Sequence, residues 1–141
     1  MPKTEDQKRD AYYHKKYGVG LDWYNARFAE QGGCCGICRR PQEHFTKRFA
    51  VDHDHGWKKV KVIATLIADI WFAYADYLGQ KWEQETYKKA ESVRKVKLAL
   101  KKMSCRGLLC PGCNRGLRYY ADDPTRLANA AEYLKRHQNA R

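Results

Sequence analysis

The chain has 141 residues, enough for one domain with a real core but short enough for a staple to matter. Lys and Arg number 28 against 16 Asp and Glu, a net charge of +12 that favours a polyanionic partner, nucleic acid being the commonest. No apolar run follows Met1, and the most apolar stretch, residues 60–78, is interrupted by Asp69 and Asp76, so neither a signal peptide nor a membrane span is expected. A cytoplasmic setting keeps the six cysteines reduced and points them to metal before disulfides.

Residues 1–10 are polar and are expected to fray. Tyr12, Tyr13 and Tyr17 lead to a break at Gly18-Val19-Gly20. Asp22 is a candidate cap for a helix over residues 23–31, with Tyr24 and Phe28 on one face and Gly32-Gly33 ending it. Cys35-Gly36-Ile37-Cys38 reads as a tight turn, and Phe49-Ala50-Val51-Asp52-His53 as a short strand. In residues 57–104, Val60, Ile63, Ile67, Ile70, Tyr74 and Tyr77 recur at helical spacing up to Gly79, and Val93, Val96, Leu100 and Met103 mark a second helix over residues 80–103. The pair reads as a helical hairpin. Arg106-Gly107-Leu108-Leu109-Cys110 reads as a strand entering a second turn, Cys110-Pro111-Gly112-Cys113, with a short helix from near Asn114. Asp122-Asp123-Pro124 opens a last helix whose buried stripe is expected to be Leu127, Ala130, Ala131 and Leu134.

Zinc takes four tetrahedral N or S ligands, and a two-residue spacer lets one turn offer two thiolates. Cys35 and Cys38 with Cys110 and Cys113 supply such a set, which closes the coordination shell and makes the metal structural. A three-residue spacer from Cys34 to Cys38 is also permissible; Cys35 is favoured because Gly36 then lies inside the turn. Cys34 and Cys105 are left over as small buried groups. The zinc-deaminase pattern is excluded, because no His-x-Glu is present.

Phosphodiester hydrolysis needs a base for water, a divalent cation and groups that orient the backbone, and Asp52-His53-Asp54-His55 offers these in one run. Strand alternation would put Asp52 and His53 on opposite faces, so a bend is required between them. Taken alone, the run fits a polar loop with surface histidines at least as well.

The pairs Cys35-x-x-Cys38 and Cys110-x-x-Cys113, the run from Phe49 to His55, and Arg106-Gly-Leu-Leu-Cys110 through Asn114-x-Gly116-Leu117 resemble the phage recombination endonuclease VII family, one of the His-Me finger (ββα-metal, HNH-like) nucleases. Tyr17-Gly18, Gln31-Gly32-Gly33, Asp123-Pro124 and Ala131-Glu132-Tyr133-Leu134 extend the likeness, which covers about residues 11–56 and 105–136. It implies an α+β, mainly helical fold. A zinc-stapled ββα core (34–56 and 105–121) would follow an N-terminal helical segment (11–33), with a helical insertion (57–104) and a C-terminal helix (122–141), all in one nuclease domain. It further implies structural Zn²⁺ on Cys35, Cys38, Cys110 and Cys113, catalytic Mg²⁺ or Mn²⁺ on Asp52 and Asn114, His53 as general base, and His55 at the scissile phosphate. Branched or distorted DNA is the implied substrate, a homodimer the implied assembly, and a phage-infected or prophage-bearing cell the implied setting. The chemistry agrees: a hard cation wants oxygen ligands, and imidazole with an ordinary pKa of about 6.5 is available as a base.

The 48 residues from 57 to 104 depart from the short loop usual in the family. Three roles compete for them: padding, a dimerisation surface carried by Trp71, Phe72, Tyr74 and Tyr77, or an arm on DNA. Lys and Arg there number eleven against five acids, and Arg94, Lys95, Lys97, Lys101 and Lys102, with Arg115 and Arg118 further on, are the candidate DNA contacts. Two alternatives to a junction-cleaving enzyme remain: a sequence-selective nicking or homing endonuclease, and a zinc-stapled DNA-binding module without catalysis.

Overall fold

A computed structural model describes residues 1–56 and 89–138. The Thr4 hydroxyl accepts from the Gln7 amide while the Gln7 side chain accepts from Thr4 N–H, a capping box that starts α1 (Glu5–Tyr17). Glu5 and Asp6 in its first turn and His14, Lys15 and Lys16 in its last complement the helix dipole. The segment expected to fray is therefore helical from Glu5, because its polar residues are capping residues.

Gly18 ends α1 in the left-handed region, φ 72°, and a Cβ there would lie 2.6 Å from the Leu98 carbonyl oxygen. Only glycine allows both the turn and the approach. In α2 (Leu21–Glu30), Asp22 does not cap: Gly20 holds the cap position, and the Asp10 carboxylate of α1 accepts from Leu21 N–H at 2.7 Å. A carboxylate from a neighbouring helix has taken the role read for a local one. At the far end, Gly33 N–H donates to the Phe28 carbonyl (2.9 Å) and Gly32 N–H to that of Ala29 (3.0 Å). With positive φ at both glycines this is a Schellman stop, which turns the chain into the first cysteine pair.

Strand β1 (Ala50–His53) pairs antiparallel with β2 (Cys105–Leu109), Ala50 opposite Leu109, Val51 opposite Leu108 and Asp52 opposite Gly107. The register then shifts, with His53 opposite Cys105, so Arg106 is the extra residue of a bulge. Just past the sheet, Asp54 N–H donates to the Ser104 carbonyl at 2.8 Å. The chain thus leaves and re-enters the sheet at neighbouring points, as a self-contained insertion requires.

Helix α3 (Lys89–Ser104) delivers the chain into β2. The expected first insertion helix with Val60 to Tyr77, the aromatic surface of Trp71 and Phe72, Gly79 and residues 80–88 lie outside the described residues. Helix α4 (Pro111–Tyr119) begins earlier than read, with Cys110 as its cap and Pro111 in its first turn, so the second cysteine turn is the start of the helix itself. Ala121 and Asp122 are left-handed (φ 54° and 53°), and Asp123, whose carboxylate accepts from Thr125 and Arg126 N–H, caps α5 (Pro124–His137).

The core joins Tyr13, Tyr24, Phe49, Val51, Leu108 and Leu109 to Cys35 and Cys110. Tyr13 and Tyr24 stack at 5.1 Å, and the Tyr24 hydroxyl donates to the Phe49 carbonyl at 2.8 Å, tying α2 to the start of β1. The stripe read on α5 is not buried. Leu127 and Ala130 are half-buried, Ala131 is exposed and Leu134 is 61% exposed. Its periodicity marks an amphipathic helix without specifying what covers the face. Among the described residues no helix is long and apolar enough to cross a membrane.

Candidate active site and metal centre

The Sγ atoms of Cys35, Cys38, Cys110 and Cys113 all lie within 4.8 Å of one another. Thiolates each about 2.3 Å from a tetrahedral zinc stand about 3.8 Å apart, and Cys38 and Cys110 are 3.9 Å apart. The residues fit zinc. Cys110 N–H donates to Cys35 Sγ (3.3 Å) and Cys113 N–H to Cys110 Sγ (3.4 Å), so the backbone itself solvates sulfur charge. Burial raises the Cys35 thiol, but amides of Cys110, Ile37 and Cys38 outweigh it and bring its pKa below the ordinary value. Burial and the neighbouring sulfurs drive Cys113 the other way. A dication resolves the conflict by accepting all four sulfurs as thiolates. Cys34 stands outside the cluster, its Sγ on the Gly32 carbonyl, which decides the register for Cys35. Cys34 and Cys105 are half-buried rather than buried, and Cys105 Sγ lies on the Tyr17 and Lys101 carbonyls.

Through this cluster the start of α4 meets the loop after α2, and the sheet lies between them. One cavity of about 260 Å³ is lined by His53, His55, Asn114 and Arg118, with Lys16 and Tyr17 of α1 and Lys101 and Ser104 of α3. The His53 and His55 rings stand 4.4 Å apart, and Tyr17 packs on His53 at 5.5 Å. His53 Nδ1 lies 3.4 Å from the Val51 carbonyl. A carbonyl only accepts, so this contact selects the tautomer with the proton on Nδ1 and leaves Nε2 basic.

Asp52 does not line that cavity. It faces the other side of the strand, 7% exposed, and Arg106 grips both its oxygens, Nε at 2.7 Å and a terminal nitrogen at 2.9 Å. The bend required between Asp52 and His53 is present as the bulge, yet its first effect is to aim Arg106 at Asp52. The same guanidinium lies 3.6 Å from Asp122, whose other oxygen is 3.6 Å from His55 Nδ1. A run of alternating charge thus links Asp52 to His55. Hydrogen bonding to Asp52 raises the pKa of Arg106 still further. Among the described residues, the four cysteines are the one group of three or more His, Cys, Asp and Glu placed for a metal.

The sequence model of the recombination endonuclease VII family matches residues 10–136. The chain belongs to this family. No curated protein and no solved structure matches it. Membership makes the protein a DNA endonuclease, a hydrolase acting on phosphodiester bonds.

Of the candidate cations of this endonuclease, Lys101 and Arg118 reach the cavity, while Arg94, Lys95, Lys97 and Lys102 on α3 and Arg115 on α4 are exposed. Lys16, Arg106, Ser104 and Asp122 were not singled out from the sequence. Arg106 was within reach of it, since pairing Cys110 back along an antiparallel ladder sets this residue beside Asp52. Lys16 and Ser104 carry no local signal, because they join the cavity only through the packing of α1 on α3.

Proposed function

We propose that the protein is a divalent-metal-dependent endonuclease of the His-Me finger type that cleaves branched or distorted DNA, such as four-way junctions. One observation carries the reading: His53, His55 and Asn114 meet Lys16, Lys101 and Arg118 around a single cavity. Two imidazoles, an amide and three cations suit a phosphodiester and an attacking water. Neutral His53, held by Val51 at Nδ1, takes the proton of water at Nε2, and general-base action of this kind contributes about 10²–10⁴-fold. His55 and Arg118 face the phosphate from β1 and α4, and Lys16 and Lys101 hold the strand by charge. Asp52 and Asn114 would hold the Mg²⁺ or Mn²⁺; their oxygens are the donors such an ion takes, and Arg106 now stands at the carboxylate. When bound, that ion stabilises charge on the phosphate and the leaving oxygen. Zinc on the four cysteines keeps α4 against the strands. Opposed nicks across a branch call for two such sites, and hence a homodimer.

The test is cleavage of a labelled four-way junction with Mg²⁺, beside a linear duplex of matched sequence. Selective cleavage of the junction, lost in His53→Ala and in Asp52→Asn with zinc content intact, is the expected outcome. Equal cutting of both substrates at one fixed sequence would replace it with a nicking or homing enzyme. Retained activity in either variant would remove the assigned role.

A further inference from the structure

We infer that Arg106 is a charge latch: it holds the Asp52 carboxylate while the site is without DNA, and passes to a DNA phosphate when nucleic acid and the divalent cation arrive together. The inference rests on the reading of Asp52 as a cation ligand. The Asp52 side chain is 10% exposed, and a carboxylate this buried needs a positive partner at all times. Arg106 now supplies it through both oxygens, at 2.7 and 2.9 Å. A dication needs the same lone pairs, and like charge keeps guanidinium and metal from sharing them.

Arg106 has both the freedom and the destination to leave. As the extra residue of the bulge it is unpaired in the ladder, so its side chain can swing without breaking a strand hydrogen bond. Its side chain is 41% exposed and already lies 3.6 Å from Asp122. A guanidinium fork matches phosphate oxygens as well as carboxylate oxygens. DNA thereby releases Asp52 for the cation, and by linkage the cation strengthens the hold on DNA. In a cell rich in divalent ions, the cation site would form fully on the substrate and weakly without it.

The experiment reads Mn²⁺ affinity, not cleavage, in zinc-loaded His53→Ala protein, so the junction stays intact. Four-way junction should tighten Mn²⁺ binding about tenfold, as removal of a competing charge pair worth about 1.4 kcal/mol would. Adding Arg106→Ala should tighten it similarly without DNA and abolish the further gain on adding DNA. Arg106→Lys, which keeps the charge but loses the fork, should fall between the two, while Arg118→Ala, which removes a charge from the other side of the strand, should change little. Unchanged or weaker Mn²⁺ affinity in folded Arg106→Ala overturns the latch. So does equal affinity with and without junction in the parent, a comparison that needs no Arg106 variant. Asp52→Asn separates the two levels: if it binds Mn²⁺ as the parent does, the metal assignment fails; if it loses Mn²⁺ while Arg106→Ala changes nothing, the latch alone fails.

Discussion

Gln31 is the side chain on which the cysteine turn and the outer edge of the sheet both depend. Its Nε2 donates to the carbonyls of Cys34 and Leu108, each at 2.9 Å, and its Oε1 accepts from Leu108 N–H at 2.9 Å. Leu108 is fully buried, and its amide and carbonyl face away from β1, where the ladder offers nothing. In Gln31→Ala the Leu108 carbonyl keeps Gly36 N–H at 3.1 Å, but its amide loses the Gln31 acceptor. A buried donor left bare costs about 1–3 kcal/mol, and the two lost bonds to carbonyls about 0.5–1.5 each. Regained side-chain freedom offsets up to about 2 kcal/mol, so the net loss should be about 2–3 kcal/mol. For a chain of this size that is roughly 6–10 °C in Tm. Gln31→Glu should cost at least as much, since a carboxylate can serve Leu108 N–H yet faces two carbonyls without a donor. Denaturant unfolding at fixed free zinc measures both variants. A loss below about 1 kcal/mol in Gln31→Ala would mean that the edge of β2 is satisfied elsewhere, refuting this account of how β2 is anchored.

Stripping zinc with a strong chelator should unfold the sheet and α4 together, giving loss of helical circular dichroism that zinc restores; a chelated protein that keeps its spectrum would show the cluster to be dispensable. Gly18→Ala forces a Cβ to 2.6 Å from the Leu98 carbonyl and strains a left-handed residue, so it should destabilise by at least about 2 kcal/mol and weaken DNA binding by shifting Lys101, both read in one preparation. Burial, and then the Asp52 charge, raise the Cys105 thiol from 9.0 to about 11, so the folded state binds this proton more tightly. The stability tied to it is full below the ordinary thiol pKa and lost as pH rises through about 11; unfolding of wild type and Cys105→Ala at pH 8 and at about pH 10.5 should show the wild type losing more.

What the sequence shows of this protein is what lies close along the chain. The cysteine spacing specified the metal cluster because a two-residue spacer is a local geometry. Val51 and Leu108 marked their strands because a buried strand must carry apolar residues whatever surrounds it. Helix starts were read less well, and for one reason: caps are judged by neighbours in sequence, whereas the amide at Leu21 is met by Asp10, eleven residues away on another helix. The α5 stripe failed differently. Leu127 and Leu134 share a face by periodicity, but burial is a property of whatever packs on that face, and no local pattern contains it. At the site, His53 and Asn114 were legible as chemistry, while the engagement of Asp52 by Arg106 depends on a bulge, which one inserted residue creates and no residue type announces.

The insertion is best understood from where it rejoins the sheet. Its described helix runs without a loop into β2, and the Asp54 to Ser104 bond closes the base. A free appendage would need a linker at that point. Instead the last turn of α3 is built into the cavity wall through Lys101 and Ser104, and Gly18 of α1 is shaped to receive Leu98 and Lys102. The Lys101 ammonium also donates to the Lys15 carbonyl at the end of α1, so the two helices and the cavity share one set of contacts. Padding would leave the cavity unchanged if replaced, and that does not describe a segment supplying one of its cations. Whatever the outer part of the insertion touches, its inner end belongs to the same construction as the histidines it faces.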